Sequence, residues 1–155
     1  MSIVIFSMPV HSGKTTLLMH WCKQQKNVQG ILMPDINGQR MFLNIATQQI
    51  FPAQCMDSNT NKELISIGKY YFFADTFKKA NNILLQALGA NPEWLVIDEI
   101  GKLELQGKGF YESVKLIIDY YRNSDRKLLL VVRDSLVKEV VDFFGVKHFA
   151  LIHKL

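Results

Sequence analysis

Residues Ser7–Thr16 read S-M-P-V-H-S-G-K-T-T, and the second half of that stretch decides the fold. Gly13-Lys14-Thr15 has the residue types of a phosphate-binding loop. Glycine lets the backbone approach an anion, and successive N–H groups at a helix N-terminus point at it. The lysine of such a loop reaches the β- and γ-phosphates, and the hydroxyl after it ligates Mg²⁺. The reading requires a strand before the loop and a helix after it. Ser2–Phe6 (SIVIF) is a continuous apolar, β-branched run that suits a strand buried on both faces. Thr15–Gln25 is helical in pattern, with Leu17, Leu18, Trp21 and Cys22 on one stripe. Gly30–Met33 (GILM) is a second short strand, ended by Pro34. Together they form a βαβ unit.

The first half of the stretch departs from the usual pattern, because Met8 stands where the first glycine belongs. A side chain there costs about 1–2 kcal/mol if φ is positive. Pro9 pushes the residue before it toward extended backbone, which needs no positive φ. The expected cradle is therefore Pro9, Val10, His11, Ser12, Gly13, Lys14, Thr15 and Thr16, with an altered entrance. His11 has two readings: a phosphate contact that tunes pH dependence, or a variable loop position without catalytic duty.

Downstream, Glu93–Glu99 (EWLVIDE) is an apolar strand that runs into two acids. Ligands in open α/β sheets bind at the C-terminal ends of strands. Asp98 at such an end is a candidate Mg²⁺ residue, together with Thr15. Glu99 is then placed to polarise an attacking water; its plainer reading is a solvated or helix-capping acid. Lys102 and Glu104 follow within one short turn. They pair with each other or with solvent, or Lys102 reaches the γ-phosphate. Arg133 ends the strand Lys127–Arg133 (KLLLVVR). It reads either as a γ-phosphate sensor or as half of a surface ion pair with Asp134 or Glu139.

The middle of the chain is β-rich. Asn37-Gly38 between apolar runs is a hairpin signal, since both residues tolerate the positive φ of a type I′ turn. Gln49–Phe51, Ile65–Ile67 and Tyr70–Phe73 are further strand candidates. Residues 34–73 are therefore expected to form a β-rich insertion on one side of the sheet. After it, Asp75 is placed to N-cap a helix that runs to about Leu88 and ends at Gly89. Helices are also expected over Gly109–Arg122 and Ser135–Phe144, with a last strand in HFALIHKL. Residues 1–155 then make one α/β domain.

Composition narrows the function classes. Of 155 residues, 48% are apolar and 21% charged, which fits a globular chain and excludes a disordered one. The net charge of +4 suits an anionic ligand, but no basic run is longer than a pair such as Lys78-Lys79, so nucleic acid is not an expected partner. Cys22 and Cys55 stand far apart and read as free thiols of a reducing compartment. The apolar start lacks a basic n-region, and no run approaches a membrane span. A cytoplasmic location is expected. The oligomeric state stays open, with a monomer as the default.

Several blocks of the chain resemble the small thermophile-type nucleoside triphosphatases, also described as cancer-related. D-E-I-G-K-L-E-L (Asp98–Leu105) is similar to the family's D-E-I-G-K-M-E-L. GKTTLL (Gly13–Leu18), GQRMFLNI (Gly38–Ile45) and GKYYFFADTF (Gly68–Phe77) match further family blocks in order. The resemblance implies a three-layer RecA-like P-loop NTPase core, with a mostly parallel sheet and a β-hairpin-rich insertion. It implies slow, Mg²⁺-dependent hydrolysis of ATP, GTP and other nucleoside triphosphates. Lys14, Thr15, Asp98 and Glu99 carry over by position, and Lys102 carries over as part of the signature. The family loop has glycines where this chain has Met8 and His11, and Met41-Phe42 stands where it tends to have x-Gly-Phe. Two other readings stay open: a small-molecule or nucleotide kinase, against which the four scattered arginines speak, and a nucleotide-binding switch with little turnover.

Overall fold

The computed structural model describes residues 1–9 and 12–155. Strand β1 (Ile3–Met8) leads to helix α1 (Lys14–Gln24), and β2 (Val28–Leu32) completes the first βαβ unit. Short strands follow: β3 (Asp35–Ile36), β4 (Gln39–Asn44), β5 (Ile50–Pro52), β6 (Leu64–Ile67) and β7 (Tyr70–Phe73). Alternation then resumes with α2 (Ala74–Gly89), β8 (Trp94–Ile100), α3 (Lys102–Leu105), α4 (Tyr111–Tyr121) and β9 (Lys127–Arg133). A 3-10 turn (Asp134–Leu136), α5 (Val137–Phe143) and β10 (Ala150–Ile152) complete the described elements.

The main sheet runs in the order β10-β1-β9-β8-β2-β4-β3. Its first five strands are mutually parallel. Side chains alternate between its faces, as the two-residue period of a strand requires. Val4, Phe6, Val96, Leu129 and Val131 pack toward Leu18 of α1. Ile5, Ile97, Leu128 and Leu130 pack on the other face against α2, α4 and α5, through Leu84, Ile117 and Val140. Both faces are covered, so the central strands are apolar throughout, and the result is three layers.

The segment 34–73 is β-rich, and its first strands join the main sheet at the β2 edge. β4 pairs antiparallel with β2, and β3 and β5 pair with β4, so they extend the main sheet. Only β6 and β7 form a separate hairpin. The physical reason is the open edge of β2, whose backbone polar groups need partners. Asn37 (φ 53) and Gly38 (φ 82) make the expected turn. Asp75 does not cap α2. Phe73 holds that position in extended backbone, because β7 runs directly into the helix, and Asp75 sits in the first turn. There its charge still favours the helix N-terminus. Gly89 is the last helical residue, and Asn91 (φ 50) takes the left-handed conformation beyond it. Among the described residues, no helix is long and apolar enough to cross a membrane.

Candidate phosphate and metal site

The C-terminal ends of β1, β9 and β8 lie side by side, and the sequence motifs sit on those ends. β1 is extended through Met8, which is in register with Arg133 of β9. A glycine is therefore not needed at Met8. Gly13 (φ 78) caps α1 in left-handed backbone, so the glycine requirement falls there. Lys14 is buried, and its Nζ donates to the carbonyl of Pro9 at 3.2 Å. The hydroxyl of Ser12 donates to the same carbonyl. Val10 and His11 lie outside the described residues.

Asp98 is fully buried. Its Oδ2 accepts from the Thr15 hydroxyl at 2.9 Å and from the Met33 backbone N–H at 3.0 Å. Its Oδ1 is buried without a partner. Burial pushes the carboxyl up to about 6, and the nearby charge of Glu99 adds to that; Met33, Thr15 and Arg40 pull the other way. A buried carboxylate oxygen without a partner is costly. An adjacent cation would satisfy it, so a hydroxyl beside a carboxylate fits Mg²⁺. Mg²⁺ takes one or two protein oxygens and fills its other positions with water and substrate phosphates. Among the described residues, no cluster of three His, Cys, Asp or Glu offers a protein-only metal cage.

Glu99 is one of five non-glycine residues described with positive φ (60). The register of β8 against β9 is irregular between Ile97 and Ile100, which marks a bulge around it. Such backbone costs about 1–3 kcal/mol and re-aims a side chain. Arg40 of β4 meets that side chain. Its Nη1 donates to Glu99 Oε1 at 3.2 Å and to the Met33 carbonyl at 3.0 Å. Arg40 is one of the four scattered arginines, and no motif of the sequence places it at the site. The available signal was GQRMFLNI, one of the blocks that match the family.

Ser12–Thr16, Arg40, Glu99, Lys102 and Arg133 line one cavity of about 1190 Å³, together with residues of the β6–β7 hairpin, while Asp98 lies buried beneath it. Lys102 is exposed. Neither Lys102 nor Arg133 forms an ion pair among the described residues, so the surface pairings of Arg133 with Asp134 or Glu139 are not seen. Glu104 also corrects expectation. It is 2% exposed, and it engages backbone amides instead of Lys102.

A family model described as NTPase matches residues 3–153. The chain belongs to that family. The fold of this NTPase family member is similar to the crystal structure of THEP1 from the hyperthermophile Aquifex aeolicus. That match has a TM-score of 0.76 and 20% identity, over 97% of this chain and 88% of that one. The solution structure of a human cancer-related nucleoside triphosphatase matches with a TM-score of 0.68 and 20% identity, over 99% and 88% of the two chains. No curated protein matches significantly. The α/β P-loop NTPase fold expected from the sequence is therefore the observed one.

Burial of Glu104 makes a measurable prediction. Burial lifts its carboxyl from 4.5 to about 7, against the pull of the Phe110 and Gly101 amides. The folded state thus holds the proton more tightly than the unfolded state. The associated stability is present below pH 4.5 and is lost as pH rises toward 7. The loss amounts to about 3 kcal/mol at most. In metal-free protein, the melting midpoint is expected to fall between pH 5 and pH 8, and to fall less in Glu104→Gln. Equal slopes in the two proteins, measured by differential scanning calorimetry, would refute the assignment.

Proposed function

We propose that this NTPase family member binds a nucleoside triphosphate with Mg²⁺ and hydrolyses it slowly to diphosphate and phosphate. The observation that carries this is the Thr15–Asp98 hydrogen bond, which joins two motifs separated by 83 positions at the mouth of a phosphate loop. Lys14 leaves the Pro9 carbonyl for a stronger, charge-assisted bond to phosphate. Thr15 and Asp98 hold the metal. Glu99 orients the attacking water and accepts its proton. Arg40, Lys102 and Arg133 add positive charge around the transferring group. Bound Mg²⁺ supplies further charge that offsets the phosphate oxygens. Positioning and charge stabilisation carry most of the rate in such sites.

The test is phosphate release across a nucleotide panel, with binding measured in parallel. Release is expected with Mg²⁺ and is expected to vanish with EDTA. Metal-independent release, or no binding of any triphosphate, would sink the reading. Tight binding without release over hours would favour the switch instead. Arg40→Ala is expected to lower kcat by about tenfold or more, since it removes a cation aimed at the site. An unchanged kcat would remove Arg40 from the reaction.

A further inference from the structure

A second buried carboxylate stands behind the site, and the function proposed above gives it no role. Glu104 lies on α3, one turn past the end of β8. Its Oε2 accepts from the Gly101 N–H at 2.9 Å, and its Oε1 accepts from the Phe110 N–H at 3.0 Å. One side chain thus holds both ends of the loop that contains it. The packing is made for this arrangement. At Gly109 (φ 62) an added Cβ would lie 2.5 Å from Oε1. Among the described residues, no cation pairs with Glu104. A buried carboxylate without a cation is costly, and an apolar side chain fills such a place more cheaply.

The position of the clamp supplies the missing reason. Gly101 is two residues past Glu99 and one before Lys102. Glu99 occupies strained, left-handed backbone. Strain of that kind persists only where the surroundings over-determine it. Fixing the Gly101 amide fixes the exit of the bulge. At the other end, the Phe110 ring packs on Phe77 at 5.1 Å and on Phe42 at 5.8 Å. Phe42 is two residues beyond Arg40 on β4. The carboxylate therefore ties the bulge to the strand that delivers Arg40.

We propose that Glu104 is a positioning residue, which clamps Gly101 to Phe110 and so holds Glu99 and Lys102 toward the phosphate site. The inference rests on the hydrolytic reading of that site. Glu104→Gln keeps one acceptor and turns an NH₂ group toward the other amide. The expected result is a kcat lower by about 10- to 100-fold, with KM within about twofold. Amide hydrogen exchange over residues 99–110 of the ligand-free protein is expected to speed up by about tenfold, with β1 and α4 unchanged. Gly109→Ala, which crowds the same carboxylate from the opposite side, is expected to reproduce both changes. Faster exchange with wild-type kcat would make the clamp merely structural and overturn the proposal, as would unchanged exchange. If wild-type protein releases no phosphate, the functional reading fails by itself. The exchange measurement needs no substrate and still decides whether Glu104 holds the loop.

Discussion

Glu99→Gln is expected to lower phosphate release by about 10²- to 10⁴-fold, with nucleotide affinity within about threefold of wild type. Glutamine has the volume of glutamate, and its carbonyl oxygen still accepts from Arg40. The bulge and the Arg40 contact therefore survive the change. The ability to take a proton from water does not. Binding is protected by a second effect. The charge of Glu99 helps to hold the Asp98 carboxyl up at about 6. Removing that charge favours ionised Asp98, which is the form that would ligand a cation. The variant should thus bind Mg²⁺-nucleotide at least as well as wild type while turning it over slowly. Calorimetric titration and steady-state phosphate release separate the two quantities. Equal release rates would strip Glu99 of its role. A loss of binding instead would mean that the side chain holds substrate and does not activate the water.

The difference between legible and hidden features in this chain follows from sequence distance. The strand–loop–helix around Gly13-Lys14-Thr15 is contiguous, so residue types and apolar periodicity exposed it directly. The same holds for the strand that ends in Asp98-Glu99, and for the Asn37-Gly38 turn. The place of β9 between β1 and β8 is a pairing between distant segments that no local pattern records. Arg40 was hidden because its hairpin reaches Glu99 across the sheet edge, 59 positions away in the chain. No local pattern records such a contact. Glu104 was misread for a different reason. K-L-E-L has the alternation of a solvated turn, and nothing local reveals that Gly109 vacates the space its carboxylate fills. The strained φ of Glu99 was equally invisible, since it arises where the register of β8 slips against β9.

Gly30→Ala is expected to lower unfolding stability by about 2–5 kcal/mol, the sum of overpacking and a positive-φ penalty. Gly30 opens the apolar run of β2 and looks, in the sequence, like a simple strand start. Its φ is 134, a conformation that side chains rarely adopt, and an added Cβ would lie 2.0 Å from the Val96 carbonyl oxygen. The neighbouring atoms are backbone, at 2.8 Å (Val96 N) and 2.9 Å (Val96 C), so no side chain can swing away. β2 cannot retreat either, because Ile45 N–H bonds the Gly30 carbonyl from the β4 side. Any relief must shift β8 two residues before Asp98, or shift β2 three residues before Met33, whose N–H holds that carboxylate. Stability and Mg²⁺-nucleotide binding should therefore fall together. In this size range the melting midpoint drops by about 4–20 °C for such a loss. Gly89→Ala is the internal contrast: that glycine is helical, with nothing within 4 Å of an added Cβ. It should gain about 0.5–1 kcal/mol. Urea unfolding of the two variants decides the matter, and a wild-type midpoint for Gly30→Ala would show that β2 and β8 do not approach as closely as the structure has them.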